Sequence, residues 1–370
     1  MRALQAMKSE WPPIAGLLAL AVLSTLGEGV LTSAKLPGTR AIAFVVLVVL
    51  IMGCAFRAIA HAGELGHRLG EPQGSLLLTL SILAIEVPLI VLVMVTGKAD
   101  PTMARDTIFA GLMLTMNGVV GVVLLAGGLR HRLQEFNLEG ARAYLAALIP
   151  LAVIGLVLPN FTKAGTGMLD DSQSFAVGAA TVLFYLIFLG IQTTRHREFF
   201  ADIEHGASGE PADAGHATAP MRSHWHFLLL IATLAIIIAL GRELARIVDY
   251  GINRMGLPTA LGGILIATLT LLPESVSAFR AALSDKLQHS VNVFLGGALS
   301  TIGLTIPAVL IFGMASGYRV VLGLRGTDLV LLLLTLFVST LTFGGVRTNV
   351  LQGAVHLLIF LIYLVFIFSP

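Results

Sequence analysis

Eleven apolar runs constrain this chain more than any other feature. Windows of 18 or more mostly apolar residues fall near 14–33, 40–62, 74–97, 106–128, 143–163, 173–195, 225–247, 257–281, 290–316, 327–345 and 348–369. A helix needs about 20 such residues to cross roughly 30 Å of hydrocarbon. With 56% of the chain hydrophobic and only 12% charged, the runs read as membrane spans. Transmembrane β-barrels use alternating segments of about ten residues, and the run from Leu183 to Leu189 does not alternate. The expected class is an all-α polytopic membrane protein.

Charge adds orientation and excludes one partner class. A net charge of +2, with 23 basic residues spread among the short loops, leaves no basic patch for nucleic acid. Placing the amino terminus inside puts 13 of those 23 on the inner face, among them Arg130, Arg132, Arg142, Arg195, Arg197 and Arg222. The positive-inside rule then predicts a cytoplasmic amino terminus. Cys54, the one cysteine, excludes an intramolecular disulfide and a thiolate cluster. No small-residue cleavage site precedes Lys35 and Glu28 interrupts the end of the first run, so the first helix is expected to be retained.

The chain repeats itself. The polar stretch 196–224 carries Asp202, Glu204, Glu210 and Asp213 among Pro, Gly and Ser and reads as a flexible loop. It separates a first half, 39–195, from a second, 225–370, with 1–38 as an extra helix. Five spans per half, an odd number, turn the second half upside down relative to the first. That gives a 1 + 5 + 5 plan with an inverted-topology repeat, as in many secondary transporters. Spacing supports it independently. Gly74 lies 12 positions before Glu86 and Gly262 lies 12 before Glu274, while an offset of 185 pairs Gly111 with Gly296, Thr115 with Ser300 and Gly128 with Gly313.

Glu86 and Glu274, 188 positions apart, each sit inside an apolar run. A carboxylate in hydrocarbon is costly unless it is protonated or holds a cation, so an ionisable group at that depth marks an ion pathway. Residues three, four and seven apart share a helix face, which aligns Thr79 with Glu86, and Thr270 and Ser277 with Glu274. Pro88 and Pro273 remove an N–H and clash with a carbonyl one turn back, so carbonyls near Ala84 and Leu269 are expected to be freed. Freed carbonyls beside carboxylates suit a hard cation such as calcium, which takes about 6–8 oxygen ligands. Thr115, Asn117, Ser300 and Thr301 would complete the set, and Gln288 and Asn292 would line an entrance. Each polar residue also has a plain reading as helix packing.

Leu69-Gly-Glu-Pro-Gln-Gly-Ser, Ala84-Ile-Glu-Val, Leu272-Pro-Glu-Ser and Gly296-Gly-Ala-Leu-Ser-Thr-Ile-Gly-Leu-Thr-Ile-Pro resemble the two α-repeats of the calcium/cation antiporter superfamily, spanning here about 69–128 and 257–313. The likeness is to its ChaA-type bacterial calcium/proton branch. Gly127-Gly-Leu-Arg, Glu135-Phe-Asn-Leu-Glu-Gly and Arg347-Thr-Asn-Val-Leu-Gln-Gly-Ala-Val-His extend it over nearly all of 14–369 outside the central loop. The resemblance implies a transporter of the bacterial inner membrane in which Glu86 and Glu274 bind calcium or protons in turn. Many relatives carry Gly-Asn-Ala before the glutamate, where this chain has Leu83-Ala-Ile and Leu271-Leu-Pro. Fewer amide ligands leave sodium or potassium as further cargo.

Other functions leave traces to weigh. A sodium/calcium exchanger needs several sodium sites, and few polar residues flank the two glutamates. A channel does not need an inverted repeat. His61, Glu64 and His67 stand three apart, a zinc-compatible set that lacks the four-residue histidine spacing of HExxH; solvated interfacial histidines explain it more simply. His205, His216, His224 and His226 titrate near neutrality and read as pH-responsive groups or as plain loop polarity. Arg347 and His356 suggest anchoring and packing. No phosphate loop or dinucleotide fingerprint occurs, so no organic cofactor and no ATP-driven pumping is expected. The partners are inorganic cations, protons and the lipid bilayer.

Overall fold

A computed structural model describes residues 10–26, 37–70, 73–96, 100–162, 167–201 and 223–368. Glu28, Lys35, His205, His216 and most of the central loop lie outside the described residues. Among the described residues eleven long helices are formed: α1 Trp11–Leu26, α2 Pro37–Leu69, α3 Gln73–Val95, α4 Met103–His131, α5 Leu138–Leu156, α6 Asp171–Arg195, α7 Ser223–Met255, α8 Ala260–Leu283, α9 Leu287–Ser316, α10 Gly326–Thr342 and α11 Val350–Phe368. Nine are long and apolar enough to cross a membrane; α1 and α10 are shorter apolar helices. Each expected run corresponds to one helix. Strand β1, Gln134–Glu135, pairs antiparallel with β2, Arg347–Thr348, a two-residue ladder too short to show as strand periodicity.

The helix order repeats as one plus five plus five. Each half opens on a helix of 33 residues, α2 or α7. A proline-containing helix follows, α3 or α8, and then a helix broken internally by a π-helical segment, α4 or α9. The helix runs on through Pro88 and Pro273 in both cases. Local chemistry sets several ends. Asn137 Oδ1 accepts from the Glu139 and Gly140 N–H groups at 3.0 and 3.3 Å, capping α5. Asp170 and Gln173 form a capping box at the start of α6.

By proximity the chain forms two compact units, one from the described residues of Met1–Gly97 and Glu204–Met255, the other from Lys98–Ile203 and Gly256–Pro370. In the first, α2 and α7 run antiparallel. The Arg40 guanidinium stacks 3.7 Å from the Tyr250 ring centroid at one end, and His61 meets His226 at the other. These are the opening helices of the two halves, and inverted repeats require opposite senses. Gly70, at φ +70°, makes the turn from α2 into α3. Gly66 and Gly74 then touch backbone to backbone, where an added Cβ on Gly74 would fall 2.5 Å from the Gly66 carbonyl. Glu10, just before α1, ties that helix to α2 through Arg57 and His61. Burial pushes its carboxyl up, but the hydrogen bonds from His61 and Arg57 and the guanidinium charge outweigh this and bring it to about 2.

In the second unit α4 crosses α11 at glycines. A Cβ on Gly353 would lie 2.5 Å from the Leu125 nitrogen and 2.9 Å from the Gly121 carbonyl. At one end of this unit the Gln134 amide donates to the Ala282 carbonyl at 2.8 Å, His131 Nε2 lies 3.0 Å from the Leu283 carbonyl, and Arg347 Nε donates to Glu135 at 2.7 Å. Arg347 is thus an anchor of the short ladder.

Two outcomes follow from this packing. Gly353→Ala should lower the unfolding midpoint of the detergent-purified protein, at a cost of about 1–3 kcal/mol, because the two backbones must part. The Glu10 carboxyl is held below its ordinary value of 4.5, so its stabilisation is complete above that pH and fades as pH falls towards about 2. Glu10→Gln should therefore melt earlier than wild type at pH 7, with the gap closing below pH 4.5 in a pH series of melting curves.

Candidate ion-binding site

Glu86 and Glu274 fall in different compact units, so each half-site is described by itself. In the first unit Glu86 sits on α3 at 6% exposure between Ile85, Leu89 and Ile90, all buried. Thr79 lies two turns earlier, half-buried. The Ser81 hydroxyl gives its proton to the Leu77 carbonyl at 2.7 Å. Leu89, three positions beyond the glutamate, packs into the space left by Gly241 of α7.

In the second unit Glu274 sits half-buried on α8, directed at α9. A Cβ on Gly297 would lie 3.0 Å from Glu274 Oε2, so the missing side chain is what makes room for the carboxylate. Thr270 donates to the carbonyls of Ile266 and Ala267, both at 3.1 Å, Ser275 to Leu271 at 2.7 Å and Ser300 to Gly297 at 2.9 Å. A hydroxyl that gives its proton back to its own helix keeps lone pairs for a cation. Ser277, exposed, pairs instead with His289 at 3.3 Å.

The π-helical segments inside α4 and α9 were not foreseen, nor was a third, Ile191–Arg195, that ends α6. Leu114–Val119 within α4 holds Thr115 and Asn117, and Thr301–Thr305 within α9 opens on Thr301 directly after Ser300. Such bulges re-aim backbone groups and recur at functional sites. The offset of 185 that pairs Thr115 with Ser300 also pairs Gly118 with Gly303. A small polar cluster followed by glycine at matching places was the signal available.

Other candidates turn to different partners. Asn117, fully buried, donates to Thr335 of α10 at 2.8 Å and accepts from His356 Nδ1 of α11 at 3.1 Å. His356 Nε2 in turn accepts from the Thr342 hydroxyl at 3.0 Å, so each end of the Asn117 amide is engaged inside the unit. Gln288 Oε1 accepts from the Asn137 N–H at 2.6 Å, its amide donates to Asn292 at 2.9 Å, and Asn292 donates to the Phe200 carbonyl at 2.6 Å. These two tie the first turn of α9 to neighbouring loops. His226 lies within α7, buried, and not in the loop.

Glu86, buried, and Glu274, half-buried, sit on proline-bearing helices, each followed in the chain by a helix with an internal π segment. The chain belongs to the sodium/calcium exchanger protein family, whose model matches residues 39–194 and 225–369. It is accordingly a secondary transporter of inorganic cations, integral to the membrane, and not an enzyme. Sinorhizobium fredii protein y4hA is 43% identical over 317 residues, 85% of each chain. The sodium-potassium/proton antiporter ChaA of Escherichia coli is 38% identical over 353 residues, 95% of this chain and 94% of that one. The structure of native YfkE superposes with a TM-score of 0.73 at 17% identity, covering 98% of this chain and 100% of YfkE, which shows a shared fold.

Gly297→Val should weaken apparent cation affinity about tenfold, or ~1.4 kcal/mol, without loss of folded protein, because its methyl groups take the space of the Glu274 carboxylate. Initial exchange rates against cation concentration, with size-exclusion profiles as control, would check this.

Proposed function

We propose that the chain exchanges calcium, and also sodium or potassium, for protons by alternating access, with Glu86 and Glu274 binding cation or protons in competition. The observation that carries this reading is the matched pair of glutamates, each on the second helix of its half, each in an apolar run that a charge cannot occupy uncompensated. A carboxyl held away from water favours its neutral form, whereas a cation in contact favours the ionised form. Proton and cation therefore exclude one another. Two carboxyls releasing two protons for one calcium would be electroneutral. The hydroxyls of Thr79, Thr270, Ser300 and Thr301 and the backbone of the π segment around Thr115 are the further oxygen donors.

The likeness to a relative named as a sodium-potassium/proton antiporter favours monovalent cargo as a second reading, and the scarcity of amide ligands before each glutamate agrees with it. Both readings share the carboxylates and the proton coupling. The positive-inside bias and the bacterial relatives support an inner-membrane location with a cytoplasmic amino terminus.

The test is proton movement in acidified everted vesicles on adding calcium, sodium or potassium, for wild type, Glu86→Gln and Glu274→Gln. Wild type should show a cation-driven proton efflux that both variants lose to background. A signal with sodium or potassium alone selects the monovalent reading, and variants that behave as wild type would remove the glutamates from the mechanism.

A further inference from the structure

The first unit holds a titratable cluster that cation binding leaves unused. His61 on α2 and His226 on α7 are 1% and 4% exposed. Their Nδ1 atoms lie 3.1 Å apart, and His61 Nε2 lies 3.3 Å from Glu10 Oε2. The ionised Glu10 can only accept, so His61 Nε2 carries a hydrogen. A single hydrogen must lie between the two Nδ1 atoms, since two bare nitrogens or two facing N–H groups at that distance make no bond. The neutral pair meets this condition with His226 donating. One extra proton is also accommodated, with one ring an imidazolium and the other Nδ1 accepting. A second extra proton puts N–H against N–H and breaks the contact.

The charges around the pair set how readily that happens. Glu10 comes from the start of α1, and Arg57, Glu64 and Arg68 come from α2. Arg57 and Arg68 act on the His226 ring with positive charge and Glu64 with negative charge. α3 packs against both α2 and α7, and its one titratable residue is Glu86. Among the described residues no group of three His, Cys, Asp or Glu is placed to hold a metal, so a proton is the ligand that fits.

We propose that His61 and His226 form a proton-binding site separate from the transport carboxylates, whose full protonation in mild acid parts α2 from α7 and slows transport. The route is short. α7 holds α3 at Leu89, next to Glu86, and α2 holds α3 at the Gly66–Gly74 contact. Loosening α2 from α7 unsettles the helix that carries the glutamate. A second proton enters against the charge of the first across 3.1 Å, so the response belongs on the acid side of neutrality. The inference rests on the chain being a cation transporter and not on which cation it carries.

His226→Asn tests it, because the asparagine amide can still bond His61 Nδ1 but does not titrate; His61→Asn is the second variant. Self-exchange of calcium-45 and of sodium-22 would be measured in proteoliposomes with equal pH on both faces, alongside melting curves at pH 8 and 5.5. The ratio of activity at pH 6 to that at pH 8 should be about threefold higher or more in His226→Asn than in wild type. The wild-type midpoint should fall on acidification by more than that of either variant. Superimposable pH profiles and equal melting shifts in all three proteins would overturn the proposal, as would a zinc-induced stabilisation of wild type that His226→Asn loses. If neither isotope exchanges, the transport reading fails separately and the melting curves decide the fate of the pair.

Discussion

A carboxylate inside hydrocarbon has to hold something positive, and the rest of this structure can be read from that requirement. Leaving such a charge unpaired costs several kcal/mol even after relaxation, more than a membrane helix can absorb twice. In the proposed exchange Glu86 and Glu274 hold protons or cations in turn. A chain that alternates between the two has the chemistry of an exchanger before any other feature is considered. On the proposed reading the prolines, the back-bonded hydroxyls and the π segments supply oxygen at a depth where water does not.

Symmetry supplies the second half of the argument. The opening helices of the two halves are both 33 residues long and run antiparallel, with Arg40 against Tyr250 and His61 against His226 marking the two ends. Proline follows in the second helix of each half and a π segment in the third. Two copies of one design inserted in opposite senses can present like chemistry to either side of a membrane, which is what alternating access asks of a fold.

Much of this was legible in the residues. Each of the eleven helices answers to one apolar run, because hydropathy over 18 residues is set by the bilayer and not by tertiary detail. The glutamates stood out for the same reason. What stayed hidden depends on contacts. The π segments at Leu114–Val119 and Thr301–Thr305 leave no periodic trace, since one extra residue in a turn does not change the hydropathy of the run, and only their matched Thr, Ser and Gly positions mark them. Gly297 looked like any membrane glycine until the Glu274 carboxylate was seen against it. Asn117, expected among the ligands, is engaged by Thr335 and His356, partners more than 200 positions away. His226 falls at the very start of its apolar run, where hydropathy cannot show burial, and α7, which begins at Ser223, takes it into the interior.

The central claim is that cation and proton compete for the same carboxylates. It is tested most directly by adding calcium, sodium or potassium to purified protein in weakly buffered detergent solution and recording the pH. The account predicts that the transported cation releases protons from wild type, and that Glu86→Gln and Glu274→Gln each reduce or abolish the release. Cation binding with no proton release from wild type, or an undiminished release from both variants, would contradict it.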